Sequence, residues 1–233
     1  MPKKTVGILG GMGPLSTVEL MRKVIEKTPV EVEQDHIRML VDSRPEIPDR
    51  TEFILGKGPS PIPMLQESAQ LLEKWGAEMI AMPCNSAHAF YKEIAGSVHI
   101  PLLNMISLVK NQLSTQLHTD SKILLLATTG TIQTKIYENE LNNFEILIPN
   151  QKTEQKIVME TIHGVKGERV KSDIEKYRDN LNQAIQMTIS RNPQAIIAGC
   201  TEVELALQES HFDIPIIFPL DLLAGEIVML ASN

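Results

Sequence analysis

The amino-acid sequence predicts an α/β fold with two similar units, each built around a sheet of parallel strands. Short apolar runs alternate with helical patterns along the chain, which is typical of repeated βα units. The second half also repeats the spacing of the first, and each half places one cysteine shortly after an apolar run. The 233 residues suffice for two small domains, each able to bury a core.

The first half opens with a strand, a glycine turn and a helix. Val6–Leu9 is a short apolar run, and the three glycines within 10–13 predict a tight turn after it. Apolar residues then recur at helical spacing, with Ser16 or Thr17 as the expected N-cap. The chain therefore begins with a predicted β-turn-α unit.

A proline-rich segment follows this unit. Residues 45–63 contain five prolines and two glycines, which predict an irregular and exposed segment. An extended stretch near 37–41 precedes it, and a helix over 64–75 follows it. The remaining predicted strands cover 79–82, 100–103, 122–127 and 195–198, and a helix is expected to open at 83–86.

Two intervals along the chain indicate an internal duplication. Gly13 and Cys84 are 71 positions apart, and Gly130 and Cys200 are 70 positions apart. An Ile-Pro pair follows each cysteine, with its proline 17 positions after the first cysteine and 15 after the second. Short α/β repeats also reach such spacings by chance, but the paired cysteines favour a duplication.

The duplication predicts where the units divide and where a ligand binds. We expect one α/β unit in each half of the chain. Ligand sites of open α/β sheets lie at the carboxyl ends of the strands, where each cysteine is expected. An active site is therefore expected in the cleft between the domains, with the cysteines facing each other.

Composition argues against several classes of protein. A net charge of −7 and 4% aromatic residues provide neither a basic surface nor base-stacking rings, so no nucleic-acid partner is expected. No apolar run is long enough to span a bilayer and no signal-peptide pattern precedes the first strand, so we expect no membrane association and a cytoplasmic location. The cysteines and histidines lack metal-site spacing, so no metal is expected.

The glycine turn has two interpretations. A dinucleotide site fits badly, because Ser16 stands where the GxGxxG pattern needs its third glycine, and a Walker A Lys-Ser/Thr pair is absent. A tight turn that brings backbone close to a ligand fits better. In that interpretation the amides of the turn are available to hold a carboxylate.

Each cysteine has a structural and a chemical interpretation. A cysteine outside a disulfide is most often a small buried hydrophobe. Cys84 precedes a predicted helix start at Asn85 or Ser86, and Cys200 precedes Thr201–Glu204, which matches a capping box. The amides and the positive end of a helix at these positions favour the thiolate of both cysteines.

The polar residues around the cysteines allow two kinds of chemistry. A single nucleophilic cysteine normally works with a histidine base, and His88 follows Cys84 by one turn, but nothing comparable follows Cys200. A symmetric pair suits inversion of a stereocentre, which needs one acid/base group on each face of a carbon. Arg50 and Lys166 are either solvated surface charges or cations that grip an anionic substrate.

Five motifs occur in order along nearly the whole chain: Val6-Gly-Ile-Leu-Gly-Gly-Met-Gly-Pro14, Ile47-Pro-Asp-Arg-Thr51, Met82-Pro-Cys-Asn-Ser-Ala-His88, Leu125-Leu-Ala-Thr-Thr-Gly-Thr131 and Ala198-Gly-Cys-Thr-Glu-Val203. Together with the two cysteines, they resemble the aspartate racemases of the aspartate/glutamate racemase superfamily that work without pyridoxal phosphate. The resemblance implies two pseudo-symmetric α/β domains, a homodimer and a reaction that needs no cofactor. It also implies that the last segment returns to the first domain, so residues 1–103 with 213–233 would form the N-terminal domain and 104–212 the second.

The resemblance also implies roles for individual residues. Cys84 and Cys200 would be the two catalytic acid/base residues. Arg50 and Lys166 would hold the side-chain carboxylate of an acidic amino acid, aspartate. Further substrate contacts would come from Met12, Asn85, Ser86, Thr131 and Thr201.

The implied function is the interconversion of L- and D-aspartate. One cysteine, as thiolate, removes the Cα proton, and the other, as thiol, delivers a proton to the opposite face, so the two must hold opposite protonation states. Ser86 keeps the hydroxyl of the threonine common in relatives, and Glu202 stands where glutamate racemases commonly have histidine, which favours aspartate. The alternatives are a glutamate or broad-specificity amino-acid racemase, a one-cysteine decarboxylase, against which the second cysteine argues, and a non-catalytic protein that binds a dicarboxylate or amino acid.

Overall fold

The computed structural model describes residues 3–150, 152–167, 174–207 and 212–232. The chain forms two compact units, one from Met1–Met105 with Leu220–Asn233 and the other from Ile106–Pro219. Each unit has its own parallel sheet and its own apolar core. The predicted α/β class with parallel sheets is confirmed.

The first unit alternates strands with helices. Its strands are β1 (Val6–Gly10), β2 (Met39–Ser43) and β3 (Met79–Ala81). Its helices are α1 (Pro14–Lys27), α2 (Arg50–Ile54), α3 (Ile62–Lys74) and α4 (Tyr91–Ala95), with 3-10 helices over Glu33–Asp35 and Ser86–Phe90. Among the described residues the strand order is β2-β1-β3, all parallel.

The central strand β1 explains the packing of this unit. All of its residues are buried because the sheet is covered on both faces, which accounts for a continuous rather than an alternating apolar run. A Cβ placed on Gly7 would lie 3.0 Å from Ala77 Cβ and 3.1 Å from Leu72 Cβ. The missing side chain therefore lets the end of α3 pack closely on the sheet.

The second unit follows the same plan. Its elements are α5 (Met105–Gln116), β4 (Lys122–Ala127), α6 (Thr129–Gln133), α7 (Ile136–Glu140), β5 (Glu145–Leu147), α8 (Glu154–Gly167), α9 (Ile174–Thr188), β6 (Ala195–Gly199), α10 (Thr201–Leu207) and β7 (Ile216–Ile217). The described strands are parallel in the order β5-β4-β6-β7. The chain then returns to the first unit through α11 (Pro219–Ser232).

The two sheets share a local arrangement around the strand that precedes each cysteine. In the first unit the Ile80 N–H donates to the Pro101 carbonyl at 2.8 Å. In the second unit the Ile196 N–H donates to the Pro215 carbonyl at 2.9 Å. The repeated Ile-Pro pair thus occupies the same structural position in both halves, as a duplication predicts.

One strand prediction needs correction. Residues 100–103 do not form a full strand, because Leu102 makes only an isolated parallel bridge to Ile80. After the second Ile-Pro pair, residues 216–217 form β7 and pair with β6 in the second unit. This backbone pairing keeps the segment on the second sheet until α11 begins.

The proline-rich segment is more ordered than predicted. It contains α2, which Asp49 caps by accepting a hydrogen bond from the Glu52 N–H at 2.9 Å, and the start of α3. Pro63 is tolerated at the start of α3 because the first turn of a helix leaves its N–H groups without helical partners. The segment therefore holds its polar side chains in fixed positions.

Candidate active site

Cys84 lies just after β3, with its thiol buried. Its Sγ is 3.5 Å from the hydroxyl oxygen of Ser86, and either atom can donate this contact. The predicted helix after Cys84 is a five-residue 3-10 helix, and Asn85 at its N-cap makes no side-chain capping bond. So short a helix gives Cys84 less of a dipole field than predicted.

His88 fixes the backbone of Cys84 and is not a base for its thiol. Its Nδ1 is 2.8 Å from the Cys84 carbonyl, and its Nε2 accepts a hydrogen bond from the Met105 N–H at 3.1 Å. These partners require a neutral ring with the proton on Nδ1. Burial lowers the pKa of His88 to about 4, which keeps the ring neutral near pH 7.

Arg50 is a buried cation at the first position of α2, and not the surface charge that the sequence also allowed. Its side chain donates from Nη1 to the carbonyls of Ile47 at 3.1 Å and Pro48 at 2.9 Å, and from Nη2 to that of Met12 at 3.4 Å. No described carboxylate pairs with it, and its buried Nε has no hydrogen-bond partner within the described ranges. An unpaired buried charge is costly, and an anion placed at this guanidinium would offset that cost.

The glycine turn supplies the third carbonyl that holds Arg50. Gly11 has φ +94°, and a Cβ there would lie 2.3 Å from the Arg44 backbone nitrogen. The Gly11 N–H donates to the Thr17 hydroxyl at 2.9 Å, while α1 starts at Pro14 with Gly13 as N-cap. The predicted cap at Ser16 or Thr17 is wrong, because the hydroxyl of Thr17 closes the turn from inside the helix.

Cys200 follows β6 and faces a carboxylate. Its Sγ donates a hydrogen bond to Oε2 of Glu202 at 2.8 Å, and the Thr201 hydroxyl donates to the same oxygen at 3.2 Å. All three side chains are buried. The predicted capping box is not the arrangement observed, since α10 already begins at Thr201 and the Glu204 N–H donates to the Cys200 carbonyl.

The environment of Cys200 favours the thiol. Burial raises the pKa of Cys200 well above its ordinary value, and the negative charge of Glu202 raises it further. Lys166, exposed near the end of α8, opposes this rise through its positive charge. The prediction that the helix end favours a Cys200 thiolate is therefore wrong, because desolvation and a neighbouring carboxylate outweigh it.

Thr131 belongs to the first turn after β4. Its hydroxyl lies 3.0 Å from that of Thr128, which caps α6 by accepting from the Thr131 N–H at 3.1 Å. Thr131 is almost fully buried. The contact between the two hydroxyls holds the Thr131 side chain at the carboxyl end of β4, where ligands of such folds bind.

One comparison decides the family. The family model for Asp/Glu/hydantoin racemases matches residues 9–227. The chain belongs to this family. The protein is therefore an isomerase of the racemase class.

Individual relatives agree with this assignment. The racemase is 29% identical over 219 residues to the broad-specificity amino-acid racemase RacX of Bacillus subtilis, a match that covers 91% of each chain. It resembles the structure of Picrophilus torridus aspartate racemase with 33% identity and a TM-score of 0.85, over 98% of this chain and 94% of that one. The fold also matches Bacillus anthracis glutamate racemase RacE1, at 20% identity and a TM-score of 0.67, over 98% and 82% of the two chains.

The structure groups the site residues of the racemase within its units. In the first unit Arg50 contacts the Met12 carbonyl, and Cys84 contacts Ser86. In the second, Cys200 and Thr201 share the Glu202 carboxylate. Asn85 is buried beside Cys84 in the chain, Lys166 acts on Cys200 through its charge, and Thr131 lies in a separate turn.

Sequence reasoning missed the structural roles of two residues. From the sequence, Glu202 indicates only the substrate, although it lies two positions after Cys200, as Ser86 does after Cys84. His88 suggests only a base. The equal offset of Ser86 and Glu202 within the duplication was the available signal for Glu202.

The described residues contain neither a metal-binding cluster nor a membrane-spanning helix. Across the part of the chain that the structure describes, no three His, Cys, Asp or Glu side chains are grouped to hold a metal ion. Among the described helices, none has the length and apolar character needed to cross a membrane.

Proposed function

We propose that the racemase interconverts L- and D-aspartate with Cys84 and Cys200 as its two acid/base residues. The observation that carries the proposal is Arg50, a buried guanidinium held by backbone carbonyls and left without an acidic partner in the described chain. Its Nε edge suits a carboxylate, which an arginine binds through two parallel hydrogen bonds. The 33% identity to an aspartate racemase supports the same substrate.

In the proposed reaction, one cysteine thiolate takes the Cα proton and the other thiol delivers its proton to the opposite face. The electron pair of the broken C–H bond stays on the carbanion until reprotonation, so no electrons are exchanged with a cofactor. The negative charge spreads onto the α-carboxylate, and preorganised donors near it lower the barrier by roughly 3 kcal/mol each. Arg50 and Lys166 bind the side-chain carboxylate, and Met12, Asn85, Ser86, Thr131 and Thr201 line the substrate site.

The test is proton exchange with a change of configuration. The protein, purified without pyridoxal phosphate, is incubated with L-aspartate in deuterium oxide, and Cα deuteration is followed by NMR alongside chiral chromatography. We expect deuterated D-aspartate from wild type and no racemisation by Cys84→Ala or Cys200→Ala. Racemisation that persists in either variant, or binding of aspartate without exchange, would contradict the proposal; the latter result identifies a non-catalytic binder.

A second candidate is a racemase of broad specificity. The 29% identity to RacX of Bacillus subtilis, a broad-specificity amino-acid racemase, favours it. The same assay with glutamate and with uncharged amino acids separates the two, because a buried arginine left unpaired penalises substrates that lack the carboxylate. Comparable kcat/KM values for uncharged and acidic substrates would establish broad specificity.

We also propose a homodimer, which the resemblance supports, and a cytoplasmic location, which the sequence pattern supports. The measurement for the dimer is light scattering coupled to size-exclusion chromatography. We expect twice the chain mass of 26.0 kDa. A single chain mass that persists at micromolar concentration would contradict the dimer.

A further inference from the structure

The two cysteines have different partners at the same offset in the duplicated units. Ser86 lies two positions after Cys84, and its hydroxyl oxygen is 3.5 Å from the Cys84 sulfur. Two positions after Cys200 is a carboxylate, with Glu202 Oε2 2.8 Å from the sulfur. A hydroxyl can donate to a thiolate or accept from a thiol, but an ionised carboxylate can only accept.

The Glu202 carboxylate therefore discriminates between the two protonation states of Cys200. The thiol donates to Oε2, while a thiolate at this distance would face a like charge in a site where Glu202 is only 3% exposed. Like charges in a desolvated site repel strongly, because solvent does not screen them. The Thr201 hydroxyl also donates to Oε2, so both neighbouring donors use this carboxylate oxygen as their acceptor.

The other charged and titratable groups near Cys200 do not reverse this preference. The Lys166 ammonium favours the thiolate of Cys200, and so does a hydrogen bond from the Glu202 backbone N–H to the sulfur. Tyr137 on α7 is buried near both Cys200 and the carboxylate of Glu204, whose charges add to burial in raising the pKa of that phenol. On α9, Tyr177 is buried in the core and the guanidinium of Arg178 donates to the Ala206 carbonyl.

We propose that Glu202 is a positioning residue that holds Cys200 as the thiol in the substrate-free racemase, so that Cys200 begins the cycle as the acid. The inference rests on the proposed two-cysteine function. In the first half-cycle the Cys200 S–H bond breaks as a Cα–H bond forms, and the proton removed from substrate resides on Cys84. Return to the starting form requires Cys84 to lose that proton to water and Cys200 to gain one from water.

The experiment measures the thiol of Cys200 directly, without turnover. Wild type and Glu202→Gln are alkylated with iodoacetamide over pH 6 to 11, and the modification of each cysteine is quantified by peptide mass spectrometry. Alkylation rates at Cys200 are normalised to their high-pH plateau. The midpoint pH then reports deprotonation of the thiol and not its accessibility to iodoacetamide. We expect Glu202→Gln to lower the midpoint, with a normalised rate at pH 8 roughly tenfold higher than in wild type.

Matched variants separate charge from structure. Glu202→Asp keeps the carboxylate and is expected to keep the midpoint near the wild-type value, while Lys166→Met is expected to raise it. Ser86→Ala alters the other cysteine and is expected to leave the Cys200 midpoint in place. An unchanged midpoint in folded Glu202→Gln, or a shift of equal size in Glu202→Asp, would overturn the proposal.

The pH dependence of turnover provides a second readout. The alkaline limb of kcat/KM reports loss of an essential proton from the free enzyme. We expect this limb to move to lower pH in Glu202→Gln, in line with the alkylation midpoint. If the alkaline limb stays in place while the alkylation midpoint moves, Cys200 is not the acid. That result would contradict the proposed function, but not the effect of Glu202 on the Cys200 thiol.

Discussion

Arg50 shows how one residue combines a structural and a functional role. Three backbone carbonyls hold its guanidinium, yet none of them carries the full charge that would offset its burial. A substrate carboxylate would supply that charge. Loss of the guanidinium is therefore expected to weaken the interaction with substrate.

We expect Arg50→Met to lower kcat/KM for aspartate roughly 100-fold, since about two charge-assisted hydrogen bonds are lost. Arg50→Lys keeps the charge, but a single ammonium cannot donate to the backbone carbonyls and to a carboxylate at the same time. We therefore expect kcat/KM of this variant to stay below that of wild type. Steady-state kinetics check both. The control is Arg44→Met, which removes the ion pairs to Glu46 and Glu67; an equal loss in that variant would argue against a specific role for Arg50.

His88 makes a prediction about acid stability. Its pKa in the folded protein, about 4, lies below the ordinary value of 6.5, so the unfolded state binds the proton more tightly. The neutral ring therefore stabilises the fold fully above pH 6.5, and that contribution is lost as the pH falls toward 4. The difference corresponds to about 3 kcal/mol.

Urea denaturation at pH 7, 5.5 and 4.5 tests this prediction. His88→Asn should be less stable than wild type at pH 7, because one of the two backbone hydrogen bonds is lost, and its stability should fall less steeply with acid. A parallel fall in wild type and variant would show that other groups govern the acid sensitivity.

At the scale of elements, the turn between β1 and α1 depends on glycine for space as well as for conformation. Gly11 and Gly76 have nearly equal φ values, +94° and +96°. The two positions differ in the space for a side chain. A Cβ on Gly11 would clash with the backbone nitrogen of Arg44 at 2.3 Å, whereas a Cβ on Gly76 would have nothing within 4 Å. The pair separates steric conflict from backbone strain.

We expect Gly76→Ala to lower the free energy of unfolding by about 1 kcal/mol, the strain of a left-handed alanine. Gly11→Ala should lower it by roughly 3 kcal/mol or more and should also impair activity, because the turn carries the Met12 carbonyl that binds Arg50. Chemical denaturation of both variants gives the comparison. Equal losses of stability in the two variants would mean that the turn accommodates the added Cβ, and that the positive φ is the source of the strain at both positions.

At the scale of the whole molecule, the two units have separate cores. Leu72 is fully buried in the core of the first unit and Leu181 in that of the second. Truncation of either leucine to alanine is expected to lower stability by about 2–5 kcal/mol. The destabilisation should be largest in the unit that carries the substitution, because stability is distributed over cooperative units.

Hydrogen exchange monitored by mass spectrometry resolves that distribution. In Leu72→Ala, peptides from β1 and β3 should exchange faster, with smaller changes in β4 and β6, and Leu181→Ala should show the reverse. Uniform acceleration in both variants would show that the chain opens as one cooperative body, since it passes between the units at 105–106 and 219–220.

The sequence by itself determined the fold class, the main strands and the family. Apolar runs such as 122–127 mark buried strands directly, because a parallel sheet covered on both faces tolerates only apolar residues. The five motifs place the two cysteines after corresponding strands, and the comparisons confirm the family that those motifs indicate. The assigned roles of the nine site residues remain predictions.

Only the tertiary structure decided the protonation environment of the site. A helix start near a cysteine suggests a thiolate, but the Glu202 side chain and burial reverse that preference at Cys200, and no periodicity reveals how a neighbouring side chain turns. The environment of Arg50 likewise includes the Met12 carbonyl from the turn after β1, which is distant in sequence. Local patterns determine elements, whereas desolvation and charge pairing depend on segments that meet only when the chain folds.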